Sequence, residues 1–330
     1  MDYRFLGDTG VKVSALCMGT WSFGGEADEE MATRMFHRCR EAGINAFDCA
    51  DSYQGGRSEE ILGRLIADCR DEVIITSKVY FPTGDHANAA GASRLHIRAS
   101  VEASLRRLDT DTIDIYFIHR FDERTAIEET LRALDDLVSE GKILYPAASN
   151  FAAWQVAKAL GVCAKNDWAP FKCIQPMYNL VKRQAEVEIL PMAEAENLGV
   201  LTYSPLAGGL LTGKYGAGRQ PTSGRLVENR IFQTRYGADW MVGVADAFTA
   251  FARRRGCDPV ALAITWVGSH PTVTAPIIGA RNLQQLEGAL GAVEIEMTPE
   301  LRAQISALSP TPPLATDRNE ELTPYSYGVR

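Results

Sequence analysis

Eight times along its length this chain repeats one unit: a short apolar run, a polar loop, then an amphipathic helix. The apolar runs occupy residues 16–19, 45–48, 73–78, 113–119, 143–149, 172–175, 200–203 and 273–278. Such alternation builds a parallel sheet, because neighbouring parallel strands need a crossover connection between them. Eight units are the number at which a parallel sheet closes on itself, so the expected fold is α/β, a (β/α)8 TIM barrel. At 330 residues the chain suits one such domain, spanning 1–330. Ahead of the first unit, residues 3–14 read as an N-terminal β-hairpin turning between Gly7 and Gly10.

The helices carry their own punctuation. Asp258 and Thr298 each precede a proline suited to a first helical turn. Ile97, Val101, Leu105 and Leu108 form an apolar stripe. Thr125 and Glu128 have capping-box spacing, and Gly141 ends the helix that would follow. The repeat breaks at residues 206–238, which are glycine-rich and without period. A loop that long is usually functional, and here it is expected to serve cofactor or substrate. The tail at 310–330 and the loop at 80–93 are expected to shape substrate choice.

Composition removes several classes of function. The net charge of −8 leaves no basic face for nucleic acid. No apolar run approaches the roughly 18 residues that span a membrane, and the first residues lack a signal-peptide pattern. Seven cysteines without a CxxC pair read as reduced thiols of a cytoplasmic protein. Five histidines without metal-ligand spacing give no metal site.

In a barrel of this kind, chemistry sits at the C-terminal ends of the strands. Those ends read Asp48, Lys78, His119, Ser149, Asn150, Gln175 and Tyr203. Singly, each has an ordinary explanation: a surface lysine, a cap, a hydrogen-bonded core histidine. Together they line one rim. Tyr53 follows Asp48 by five residues, on a turn softened by Gly55 and Gly56 that lets it swing back over that rim. A phenol titrates near 10. An ammonium ~4 Å away is worth ~4 kcal/mol at an effective dielectric of about 20. Lys78 is therefore expected to bring the Tyr53 hydroxyl down into the range of efficient general acids. Asp48 would keep Lys78 charged, and His119 would orient a carbonyl oxygen. Such a set delivers a proton to an oxygen that gains negative charge, as a carbonyl does on receiving hydride. Hydride needs a cofactor. Asn150 and Gln175 can pair with a carboxamide and Tyr203 can stack on an aromatic ring, the two features of a nicotinamide.

The usual cradles are absent. There is no GxGxxG. Gly208 to Lys214, "GGLLTGK", begins like a phosphate-binding P-loop, but Tyr215 stands where serine or threonine would hold magnesium. Triphosphate hydrolysis is set aside. Backbone N–H groups of Ser204, Leu206, Gly209 and Leu210, with Lys214 at the end of the stretch, remain suited to a pyrophosphate. Gly279 and Ala280 open a turn before a helix, and Arg281 there can pair with a ribose phosphate.

Taken together, these stretches resemble the aldo-keto reductase family. "DCADSYQGGRSEEILG", "IITSK", "IDIYFIHRFD", "GKILYPAASNF", "IQPMYNL", "YSPLAGGLLTGKY" and "APIIGARNLQQLE" match its motifs in order, from about residue 3 to residue 305. The resemblance implies a pyridine nucleotide, NADPH/NADP with NADH possible, bound without a Rossmann fold. It implies that Tyr53 is the acid, that Lys78 and Asp48 tune it, and that His119 positions the carbonyl. Gly19, Thr20 and Trp21 match the segment lining the nicotinamide and substrate cleft, and Gln285 falls in the last cofactor motif. Trp21, Tyr53, Phe81 and His119 are the expected substrate contacts. Two segments depart from the family pattern. Leu144-Tyr145-Pro146-Ala147 stands before Ser149, and Gly288-Ala289 stands where an asparagine usually meets adenine. The implied activity is reversible reduction of an aldehyde or ketone, with a small-molecule carbonyl or alcohol as substrate and neither nucleic acid nor membrane as partner. A non-catalytic subunit resembling potassium-channel β subunits, and a Schiff-base aldolase using Lys78, remain the competing readings.

Overall fold

The structure, a computed structural model, describes residues 1–318 except 217 and 220. Strands β1 (Tyr3–Phe5) and β2 (Lys12–Ser14) form the antiparallel hairpin. Strands β3 (Cys17–Gly19), β4 (Ala46–Asp48), β5 (Ile74–Val79), β6 (Ile113–Ile118), β7 (Ile143–Ser149), β8 (Cys173–Gln175), β9 (Gly199–Thr202) and β10 (Ala275–Ile278) close into a parallel barrel. The closing pair is β10 with β3. Around it lie α1 (Glu29–Glu41), α2 (Arg57–Ile66), α3 (Arg94–Leu108), α4 (Ile127–Ser139), α5 (Ala153–Asn166) and α6 (Ile189–Ala195). The ring continues with α7 (Arg225–Glu228), α8 (Arg230–Tyr236), α9 (Asp239–Arg254), α10 (Pro259–Gly268), α11 (Leu283–Leu290) and α12 (Pro299–Ser306).

Strand side chains alternate between two faces, and this alternation places the chemistry. Cys17, Ala46, Ile115, Phe117, Ala147, Cys173, Leu201, Ala275 and Ile277 fill the barrel interior. Two residues further along each strand, on the same face, stand Gly19, Asp48, His119, Ser149, Gln175, Tyr203 and Gly279. Thr76 and Lys78 take the corresponding places on β5. The opposite faces, with Phe47, Tyr116 and Ile118, pack against the helices.

The hairpin plugs the N-terminal end of the barrel with Leu6 and Val13, both fully buried against the interior cluster. Contact there is close enough to demand glycine. A Cβ on Gly7, whose φ is +55°, would sit 2.3 Å from the Asn197 carbonyl oxygen. One on Gly199 would sit 2.4 Å from Leu6.

The caps at Asp258 and Thr298 form as the sequence implies. Asp258 accepts from the N–H groups of Val260 and Ala261, and Thr298 from that of Leu301. The capping box at Thr125 and Glu128 does not form: α4 begins at Ile127, with Ala126 as its uncapped boundary residue. The Thr125 hydroxyl donates instead to Asp122 at 2.8 Å. Asp122 also accepts from the N–H of Ala92, so the threonine serves a tie between two rim loops rather than its own helix. Residues 206–238 are also more regular than their composition implies. They hold a 3-10 turn (Ala207–Thr212), then α7 and α8. Tyr236 of α8 is fully buried, so packing supplies the order that the glycine-rich sequence conceals. Pro146 is accommodated within β7, which keeps its register with β6.

Candidate active site

The Asp48–Tyr53 turn is held from both sides. The Tyr53 N–H bonds the Ala50 carbonyl, and the Asp51 N–H bonds that of Lys78. Gln54, Gly55 and Gly56 follow with φ of 51°, 65° and 94°. This left-handed run reverses the chain toward the rim, and two glycines make it inexpensive. Gln54, the strained member, donates to the Trp21 carbonyl at 2.8 Å and so ties the turn to the β3 loop.

At the barrel mouth Lys78 Nζ donates to Asp48 Oδ2 at 2.7 Å, to the Cys49 carbonyl at 2.6 Å and to the Tyr53 hydroxyl at 3.2 Å. Lys78 is fully buried. Burial opposes its charge, but Asp48 and then Tyr53 overcome it, and Lys78 titrates above its ordinary value. Asp48 Oδ1 accepts from Thr76 and from Gln175 Nε2, each at 2.8 Å. A buried ion pair persists only when its remaining hydrogen-bonding sites are satisfied in this way.

The Tyr53 phenol corrects a sequence-based expectation. Burial pushes it up to about 12, against the opposing pull of Lys78. The ammonium acts with the expected sign, but desolvation of the phenolate is larger. The His119 ring meets Tyr53 edge-on at 6.0 Å between centroids and Phe81 at 4.8 Å. Its Nδ1 is buried without a hydrogen-bond partner among the described residues. Burial, then Lys78, holds its pKa well below the usual histidine range, so the ring is neutral at pH 7. A neutral imidazole beside an ammonium can orient an oxygen without competing for the proton. Trp21 and Phe81 stay over a third exposed, at the open side of this group.

Gly19 is required by space, since a Cβ there would lie 2.8 Å from Ile277. Thr20 is buried and its hydroxyl donates to the Asp48 carbonyl. Ser149 donates to the Gln175 carbonyl, Asn150 Nδ2 donates to the His119 carbonyl, and Tyr203 donates to Asn150 Oδ1 at 2.6 Å. These four polar groups form one connected patch. Within it Gln175 Nε2 donates to Asp48, an engagement that the sequence reading of this amide as a carboxamide partner does not include. The Gly209 N–H is likewise engaged, by the Leu206 carbonyl at 2.9 Å, which removes it from the expected anion cradle. Ser204, with φ of 58°, and the buried Leu210 lie in the same turn.

Further round the rim, the Arg281 N–H donates to the side chain of Gln285, and the Ala280 carbonyl accepts from Ser22. Gly279 has open space where a Cβ would be. Ala289 is buried in the core, so the place of the missing asparagine is filled by packing. Lys214 has its pKa lowered by burial, then by Arg281 and Arg225. Two residues of this region, Glu26 and Arg225, were not singled out in the sequence. Glu26 lies 3.1 Å from Arg281 and 3.7 Å from Arg225. Nothing local marks them, since one follows a glycine pair and the other sits in the stretch without period. Thr76 was equally missed, though strand parity with Lys78 points to it.

The polar groups present, the Ser149–Asn150–Gln175–Tyr203 patch beside the Tyr53 hydroxyl at one end and the clustered cations Arg225 and Arg281 at the other, are of the kinds that a dinucleotide's amide and phosphates pair with. Among the described residues no group of three or more His, Cys, Asp or Glu could hold a metal ion, and no helix is long and apolar enough to cross a membrane.

Residues 15–310 match the model of the Aldo/keto reductase family. The chain is 36% identical over 327 residues to YrpG, an uncharacterised oxidoreductase of Bacillus subtilis (strain 168), covering 94% of this chain and 97% of that one. It is 35% identical over 326 residues to a probable voltage-gated potassium channel subunit beta of Oryza sativa subsp. japonica, covering 96% and 99%. It is 36% identical over 302 residues to a protein of the same description from Arabidopsis thaliana, covering 89% and 92%.

Proposed function

This chain belongs to the aldo/keto reductase family, and on that premise we propose that it reduces an aldehyde or ketone to the alcohol with NADPH, Tyr53 supplying the proton. The observation that carries this reading is the buried chain of contacts from Asp48 through Lys78 to the Tyr53 hydroxyl. A pyridine nucleotide held along this rim would supply the hydride that the carbonyl carbon needs. The remaining work belongs to side chains. His119 and Tyr53 hold the carbonyl oxygen, and Tyr53 passes its phenolic proton to that oxygen as negative charge grows there. A phenol pushed up to about 12 is still a far stronger acid than an alcohol, so this transfer runs downhill. At neutral pH it is also fully protonated, the state reduction requires. Lys78 stabilises the phenolate left behind, and Asp48 keeps Lys78 charged.

The same pairing weighs against Schiff-base chemistry. A Schiff-base lysine must lose its proton, and Asp48 holds Lys78 in the charged form. The likeness to proteins described as channel β subunits favours a second reading, a subunit that binds cofactor and regulates a partner. The two readings separate on turnover. A panel of aromatic and aliphatic carbonyls, followed by nicotinamide absorbance, should show consumption of NADPH by the wild type. Tyr53→Phe should lose about 10²–10⁴ in rate while binding NADPH within about threefold of wild type. A variant that keeps the wild-type rate where chemistry is limiting would remove Tyr53 from the acid's role.

A further inference from the structure

Three chain segments meet at the rim beyond Tyr203: the loop between β3 and α1, the start of α7, and the turn after β10. Each contributes a charged side chain to one point. Glu26 presents Oε1 to Arg281 at 3.1 Å and Oε2 to Arg225 at 3.7 Å. One oxygen therefore faces each guanidinium, the arrangement in which two arginines would share a phosphate. Arg225 is held in place by Trp21, 4.5 Å from its guanidinium, and by Phe232 at 5.5 Å. Its Nε is buried without an acceptor among the described residues, so the guanidinium has a donor to spare. Lys214 feels both arginines, with Glu228 and Glu26 acting against them. The cluster thus holds two guanidinium groups with one carboxylate already seated between them, in the field of Lys214 and Glu228.

We propose that Glu26 is a specificity-determining residue, which occupies the anion position between Arg281 and Arg225 and competes with the ribose 2′-phosphate for both. The proposal rests on the reading of this chain as a pyridine-nucleotide reductase, and it adds what sets the margin between the two nucleotides. A 2′-phosphate entering the cluster must displace the Glu26 carboxylate or lie beside it, and like charges in contact repel. A ribose with a free 2′-hydroxyl meets no such competitor and can donate to Glu26. NADPH is therefore favoured by less than the cations alone would give. Because Glu26 also joins α7 to the barrel rim, a phosphate that displaces it takes over that tie with its own oxygens.

Glu26→Gln keeps the shape and removes the charge. Trp21 fluorescence can follow titrations of wild type and variant with NADPH, NADH, adenosine 2′,5′-bisphosphate and ADP at fixed ionic strength. The expected result is tightening of the two 2′-phosphorylated ligands by about tenfold, with the other two unchanged or weakened by at most about threefold. Glu26→Asp, which retains the charge, should stay closer to wild type than to Glu26→Gln. If the ratio of NADPH to NADH affinity in Glu26→Gln stays within about twofold of wild type, or falls, the proposal is overturned. Equal changes in all four ligands would show a structural tie only, and also overturn it. Carbonyl turnover is not read in these titrations. A protein that binds the nucleotides but turns over no carbonyl would fail as a reductase while Glu26 was still decided. Failure of every ligand to bind wild type and variant would overturn both.

Discussion

The Lys78 ammonium stands 3.2 Å from the Tyr53 hydroxyl and gives its two shorter bonds elsewhere, to Asp48 and to the Cys49 carbonyl. The lysine is thus anchored on the strand side, by bonds that do not involve the phenol. Its charge is fixed by the barrel and offered to whatever charge appears on the tyrosine oxygen. This suits the proton donor's role proposed for Tyr53.

Replacing Lys78 by methionine removes that charge. The phenol, already raised to about 12 by burial, should rise further. Alcohol oxidation needs the phenolate, so the limb of its pH profile governed by Tyr53 should move upward. Both directions should slow by about 10²-fold or more. Asp48 would be left buried and unpaired, so nucleotide binding must be measured alongside to confirm a folded variant. An unmoved pH limb with a healthy rate would dissolve the pairing of the two residues.

Arg281→Ala should act on cofactor choice. A charge-assisted hydrogen bond is worth ~1.5–3 kcal/mol. The wild type should bind NADPH about 10- to 150-fold more tightly than NADH by that interaction, less whatever Glu26 takes back. The variant should lose most of the preference and scarcely change NADH affinity. Equal wild-type affinities, or a ratio that survives the substitution, would exclude Arg281 from the phosphate site.

Asp51 is buried in the turn that carries Tyr53, with the Ser52 N–H as the one hydrogen-bond donor acting on its carboxyl among the described residues. Burial, then Glu59, pushes it up to about 8, with Arg107 and Lys78 opposing. The folded state therefore binds this proton more tightly than the unfolded chain. The stability it contributes is fully present below the unfolded value near 4 and is lost as pH rises through about 8. Asp51→Asn should remove that dependence. In urea titrations the variant should gain on wild type by at least about 1 kcal/mol between about pH 5 and about pH 9. Parallel curves across that window would mean the carboxyl finds a partner in solution.

At the other end of the barrel, Gly7→Ala should cost about 2 kcal/mol or more. The added Cβ meets a backbone oxygen at 2.3 Å, and the φ of +55° is unfavourable to alanine. Rim chemistry lies at the opposite end, so activity per folded molecule should hold. A variant as stable as wild type would show that the hairpin can shift as a unit.

The barrel was legible in the sequence because burial has a period. The repeat gave eight strands to within a residue or two at each end, and strand parity alone puts Asp48, Lys78, His119, Ser149 and Gln175 on one inner face. Asp258 and Thr298 were legible for a local reason: their caps reach only two or three residues ahead. Thr125 has the same kind of local signal and yields to Asp122, whose pull depends on Ala92 from another loop. The Tyr53 phenol required the fold as well, since the balance between the Lys78 charge and desolvation depends on how deep the hydroxyl sits. Gln175 and Asp48 lie 127 residues apart, and no spacing announces their bond. Glu26, Arg225 and Arg281 come from three segments, one of them without period. Periodicity records which face of an element is buried. Distances between remote segments set electrostatic energies, and those distances exist only once the barrel has closed.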